Sequence, residues 1–164
     1  LKFPQALIMY MEETALEDMA GDAFILFINI FDEDTTTQYI TEGFLTKIYS
    51  SLEYIEDEAT LNQLVSILVC LMPVFEKSNP DPEGIDGNPI LKEFVEKEQL
   101  YREKLIYLAN RGAEYGMDKC CKTLQIILKK PKLASYYFNL NDLNLLLDIL
   151  LREVTTTSAS KTRV

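Results

Sequence analysis

The segment YYFNLNDLNLLLDILLRE, Tyr136 to Glu153, sets an aromatic cluster and a run of leucines around four polar residues, Asn139, Asn141, Asp142 and Asn144. Leu143, Leu145, Leu146, Leu147, Ile149, Leu150 and Leu151 cover nearly the whole circumference of a helix. Only Asn144, Asp148 and Arg152 break it, at i, i+4 and i+8, so they share one narrow polar stripe in which Asp148 is placed to pair with Arg152. Asn141 and Asp142 read as punctuation. Asp142 is the expected N-cap, accepting backbone N–H bonds at the start of a helix that runs to Val154.

Working outward, Cys120, Cys121, Leu124, Ile127 and Leu128 recur at helical spacing. Lys129 and Lys130 close that helix, where cations suit the negative end of its dipole. Pro131 then opens a short helix through about Phe138. The same plan occurs earlier in the chain. Phe27 and Phe31 match Leu124 and Leu128, Tyr39 and Ile40 match Tyr137 and Phe138, and Phe44, Ile48 and Leu52 match Leu143, Leu147 and Leu151, with offsets of 97, 98 and 99. A unit of helix, short helix and long helix recurring every ~40–47 residues is the armadillo or HEAT arrangement. The expected fold is therefore all-α: a right-handed α-solenoid of stacked armadillo/HEAT-like repeats, forming one domain over residues 1–164. In an armadillo array the third helix of each unit lines a concave groove, so the stripe Asn144, Asp148 and Arg152 would face a ligand there; a solvated edge is the other reading of the same pattern.

The remaining segments agree with helices. Gly21 and Asp22 mark a stop and a cap before Phe24, Phe27, Ile28 and Phe31. A short helical piece spans Thr35 to Thr41, and Phe44, Leu45, Ile48, Leu52 and Ile55 follow at helical spacing. A longer helix starts near Asp57 or Thr60, and Pro73 is expected to kink or end it. Residues 77–89, KSNPDPEGIDGNP, form the one convincing surface loop. A single charged amphipathic helix then runs from Ile90 to about Asn110, and Gly112 and Gly116 loosen the chain. No sustained alternation of apolar and polar residues suggests a strand.

Composition narrows the function. A hydrophobic share of 48% with 26% charge fits a folded protein with a real core. The uninterrupted apolar runs are far shorter than the ~20 residues of a membrane span, so no membrane insertion is expected. There is no histidine. Ser-His-Asp and Cys-His chemistry, His-ligated zinc and the usual neutral-pH general base are thereby removed, and no glycine-rich phosphate loop or CxxC occurs. An enzyme built on surface carboxylates or Cys120 is the disfavoured rival. No cofactor and no metal are expected. Cys70, Cys120 and Cys121 are odd in number and lie in apolar helical patterns, which suits buried thiols in a reducing compartment. The start LKFPQALIMY has neither an initiating Met nor a signal-peptide layout, so the chain reads as a fragment of something longer.

Charge is unevenly placed. Up to Asp118 there are 8 Lys/Arg against 23 Asp/Glu, and from Lys119 onward 8 against 3, which gives −15 and +5 within a total of −10. An acidic body disfavours nucleic acid, whereas a basic end suits a protein partner. The expected partner-binding residues are Lys129, Lys130 and Lys132 on this basic edge, together with Asn144, Asp148 and Arg152.

Tyr137-Phe138, Asn141-Asp142, Leu143 to Leu151, Asp148 and Arg152, preceded by CCKTLQIILKKP, resemble the signature of the leucine-rich, armadillo-like domain of the Nck-interacting SH3 adaptors, the WISH or DIP family, and of their fungal relatives in actin patches. The resemblance is clear from Asp118 to Val154. It implies a non-catalytic regulator that binds the actin-related protein 2/3 complex and switches it on without a preformed filament, yielding linear actin filaments. It also implies a cytoplasmic site at cortical or endocytic actin structures of the cytoskeleton. The SH3 and proline-rich portions of the animal adaptors do not occur in this sequence, so SH3-containing and other actin-regulatory partners are expected to act through flanks outside it. The alternative is a general armadillo scaffold or adaptor that holds a peptide or helix in its groove.

Overall fold

The computed structural model describes residues 3–13, 40–81, 84–112 and 116–161. Its helices are α1 (Phe3–Glu13), α2 (Glu42–Tyr54), α3 (Glu58–Ser78), α4 (Pro89–Glu96), α5 (Glu98–Asn110), α6 (Met117–Lys129), α7 (Pro131–Ala134) and α8 (Leu140–Lys161). There is no strand among the described residues, so the all-α expectation holds for them. The expected helix around Phe24 to Phe31, its cap at Asp22, and most of the short piece before Thr41 lie outside the described residues.

α2 begins where Thr41 accepts a hydrogen bond from the Phe44 N–H at 3.0 Å. It buries Phe44, Leu45, Ile48 and Leu52. Lys47 bridges back to α1, donating to the carbonyls of Met11 and Glu12 at 2.8 and 2.7 Å. A cation at those last unpaired carbonyls is favourable for the dipole of α1. Asp57 caps α3, accepting from the Thr60 hydroxyl and N–H at 2.6 and 2.7 Å. Those two bonds hold its carboxyl below the ordinary carboxylate range.

α3 is the centre of the fold, packing against α2, α4, α5 and α6. Every residue from Leu64 to Phe75 is buried. By length and composition α3 is long and apolar enough to cross a membrane, which the short uninterrupted runs did not suggest; its enclosure by other helices accounts for that composition.

Pro73 does not end α3, which continues to Ser78. Proline has no N–H to give to the carbonyl four residues earlier, that of Val69. The hydroxyl of Thr123, buried on α6, donates to that carbonyl at 3.1 Å instead. A tertiary contact thus satisfies the group that the proline orphans. Thr123→Val keeps the side-chain shape and removes the donor, so it should cost about 1–3 kcal/mol in urea denaturation. In a Pro73→Ala background a backbone donor is restored and the cost of Thr123→Val should shrink; equal losses in both backgrounds would refute the pairing.

The single helix expected from Ile90 to Asn110 is two helices, broken at Lys97 with φ −114 and ψ 46. Lys97 pairs with Glu53 of α2 at 2.7 Å and Glu93 at 3.0 Å, while Phe94 and Tyr101 stack across the break with centroids 4.2 Å apart. Apolar spacing passes through the break almost unshifted, so periodicity alone reads one helix. The loop is shorter than expected: Lys77 and Ser78 complete α3, and Pro89 is the first residue of α4. Asn88 accepts from the Leu91 N–H at 3.2 Å, capping α4, and donates to the Met72 carbonyl at 3.0 Å.

Candidate partner-binding surface

α8 starts two residues before Asp142, and Asn139 is its cap. The Asn139 side chain accepts from the Asp142 N–H at 3.0 Å, and Asp142 accepts from the Asn139 N–H at 3.1 Å. This reciprocal pair is a capping box in which Asp142 occupies the third helical position. Asp142 is therefore a partner of the cap, not the cap itself. The helix also runs beyond Val154, to Lys161. The short helix after Pro131 stops at Ala134, and the Tyr137-Phe138 pair lies past it, buried edge to face at 5.0 Å.

Two arginines fix α8 along α5. Arg102 of α5 lies 3.3 Å from the Asp142 carboxylate and donates to the Tyr137 carbonyl at 3.4 Å. It also pairs with Glu98. At the other end Arg152 donates to the Asn110 side chain at 2.9 Å. Since Asp142 meets Arg102 and Arg152 meets Asn110, the two helices run in the same direction. Arg152 pairs with Asn110 and Glu153, not with Asp148: the neighbouring helix end offers a fixed amide and carbonyl that the exposed Asp148 does not match. Asn144 and Asp148 face solvent.

Of the α8 side chains that are described, residues 140–156, only Leu146 and Ile149 are buried. Leu140, Leu143, Leu147, Leu151 and Val154 are exposed, from 36% at Leu143 to 73% at Leu140. At 100° per residue these five form one ridge beside the stripe of Asn144 and Asp148. The sequence repeat pairs Phe44, Ile48 and Leu52 with Leu143, Leu147 and Leu151, yet the first three are covered and the second three open. The repeat alignment held the signal for this ridge, but a helix apolar almost all round does not disclose which side remains uncovered.

The basic edge divides. Lys129 and Lys132 are exposed, whereas Lys130 is 3% exposed and pairs with Glu76 of α3 at 2.8 Å. It also donates to the Asp81 carbonyl. Lys130 is thus a buried clamp between α3, the loop and α6, which corrects its assignment as a partner contact. No hydrogen bond or ion pair joins the lysines to the α8 stripe among the described residues.

The three cysteines are free thiols. Burial pushes Cys70 and Cys120 up to about 12 and raises half-buried Cys121 as well. Thiols held protonated at neutral pH are poor nucleophiles. Among the described residues no group of three His, Cys, Asp or Glu side chains is placed to hold a metal ion.

A chain whose described residues form only helices, with an open leucine ridge beside a polar stripe, has the surface of a protein that contacts others through its helix faces. The chain belongs to the SPIN90/Ldb17 leucine-rich domain family, whose model matches residues 56–164. The match extends well upstream of the segment that carries the sequence resemblance. The family is associated with actin regulation and with actin patches, and its members are non-enzymatic adaptors. No curated protein and no solved structure matches the chain.

Proposed function

We propose that this chain binds the actin-related protein 2/3 complex and activates it without a preformed filament, so that linear actin filaments are nucleated. The observation that carries the reading is the open α8 ridge, which lies within the family-matched residues and repeats a face that is covered in α2. The helices are arranged as an armadillo/HEAT-like solenoid in one domain; in support, α1 packs on α2, α2 on α3, and α5 on both α6 and α8. Activation is conformational: a ligand that prefers the active arrangement shifts the complex toward it, and moving a 1:99 equilibrium to 99:1 takes a preference of about 10⁴-fold. Lys129 and Lys132 on the basic edge, and Asn144, Asp148 and Arg152 on α8, contribute polar contacts to the partner. The protein acts in the cytoplasm at cortical or endocytic actin structures, with further actin-regulatory partners engaged by flanking sequence.

The test is polymerisation of pyrene-labelled actin with purified complex and no other activator, run with a binding titration. Faster nucleation with saturable binding is expected. Binding without acceleration would move activation outside this sequence, and no binding would return the chain to a general helical scaffold.

A further inference from the structure

The second half of α8 carries Arg152, Glu153 and Val154, then Thr155, Thr156 and Thr157 in succession. The hydroxyls of Thr155 and Thr156 both donate to the Arg152 carbonyl at 2.8 Å. Such back-bonding competes with the helical ladder for the same acceptor, and consecutive β-branched residues are weak helix formers. Val154, Thr155 and Thr156 are all exposed, so burial of their side chains offsets neither effect. This end of α8 therefore opens at low cost. The Arg152 guanidinium meanwhile donates to Asn110 of α5, at 2.9 Å to the side-chain oxygen and 3.4 Å to the carbonyl, and lies 3.7 Å from the Glu153 carboxylate.

We propose that Thr155 is a phosphorylation site for a basophilic Ser/Thr kinase, with Arg152 as the recognition residue three positions before the acceptor, and that the phosphate weakens partner binding at the α8 ridge. The second half rests on the ridge as the binding face; the site itself does not. Kinases of this class take the acceptor segment extended, with an acidic pocket for an arginine at that spacing, so opening of the helix end delivers both residues together. Charge singles out Thr155 in the run, because Thr156 has Glu153 at the same spacing and Thr157 has Val154. ATP is the co-reactant. The kinase base takes the Thr155 hydroxyl proton, the Oγ1 atom bonds to the γ-phosphorus, and the bond to the β,γ-bridging oxygen breaks as ADP leaves. Once the helix closes, the phosphate carries a charge of about −1.5 to −2 three residues from Arg152, on the neighbouring turn. A charge-assisted bond is roughly twice as strong as one to a neutral group, so Arg152 is drawn from Asn110 and α8 loses that tie to α5. Thr155 also lies one turn beyond Leu151 of the ridge, and a partner covering that end would have to strip water from the phosphate.

The chain is incubated with ATP and the catalytic domain of a kinase that selects arginine three residues before the acceptor, and tandem mass spectrometry maps the product. Labelling at Thr155 is expected, and its loss in Thr155→Val. Arg152→Ala and Asn110→Ala separate recognition from loosening, since both break the tie between α8 and α5. The labelling rate should fall at least tenfold in Arg152→Ala and rise several-fold in Asn110→Ala, with far-UV circular dichroism checking the fold of each variant. No labelling of the unaltered chain, labelling at other residues only, or a rate in Arg152→Ala that does not fall would overturn the site. Phosphorylated and unmodified chains are then titrated against the actin-related protein 2/3 complex. Several-fold weaker binding after phosphorylation is expected, with Thr155→Val binding as the unmodified chain does, and equal affinity of the two forms would overturn the regulatory role. No binding by either form would count against the proposed function alone, because the site is read on the chain without the complex.

Discussion

Ile48→Asp is expected to unfold most of the chain, while Leu147→Asp, the same change at the matching repeat position, should leave the fold intact and weaken partner binding by an order of magnitude or more. Ile48 is fully buried and Leu147 is 55% exposed. An unpaired carboxylate at Ile48 loses its hydration and forfeits the packing of the side chain, a cost of several kcal/mol. That is comparable with the ~5–15 kcal/mol that holds a domain together. At Leu147 the carboxylate stays hydrated, so stability should change by no more than about 0.5 kcal/mol. If the α8 ridge is the binding face, a charge at its centre should cost about 2 kcal/mol or more of binding, a loss of roughly 30-fold. Thermal unfolding followed by circular dichroism reads the first effect, and titration against the actin-related protein 2/3 complex reads the second. A Leu147→Asp variant that melts early would mean the ridge is covered in solution. Normal stability with unchanged affinity would remove the ridge from the interface.

The next largest effect is expected at the clamp. Glu76→Ala leaves the ammonium of Lys130, 3% exposed, without its carboxylate, and removing one member of a buried pair costs about 3–5 kcal/mol. The 22% exposure of the Glu76 side chain places this change toward the lower end. Lys130→Met removes the buried charge and keeps the apolar stem, leaving Glu76 accessible to water and bonded to Asn88. It should therefore cost clearly less than Glu76→Ala, with the double variant near Lys130→Met. Urea midpoints for the three variants measure this order. Equal losses in the two single variants would show that the charge is not the reason for the coupling, and a harmless Glu76→Ala would refute the clamp.

Periodicity made most of the helices legible. Phe44, Ile48 and Leu52 fell on one face of α2, the start of α3 was narrowed to Asp57 or Thr60 and lies at Asp57, and Ile90, Leu91 and Phe94 faced inward on α4, because local spacing fixes which residues share a face. The break at Lys97 was hidden because the apolar rhythm continues across it. The cap of α8 was misplaced by one turn: Asn139 and Asp142 both satisfy cap chemistry, and only the bonds between them show which one stands outside the helix. The same limit applied to the surface. Lys129, Lys130 and Lys132 are alike as letters, yet the ending of α6 turns Lys130 inward onto Glu76 and leaves the other two outside.

By itself the sequence determined that the described residues are helical, the buried faces of α2 and α4, and the family signature around Tyr137 to Arg152, since these depend on residues within a few turns of one another. Tertiary structure alone decided that Thr123 serves the carbonyl orphaned by Pro73, that Lys130 is a clamp, and that Leu143, Leu147 and Leu151 stay open where Phe44, Ile48 and Leu52 are covered. Those outcomes depend on which helix arrives from elsewhere in the chain to supply a donor, a counter-charge or an apolar surface.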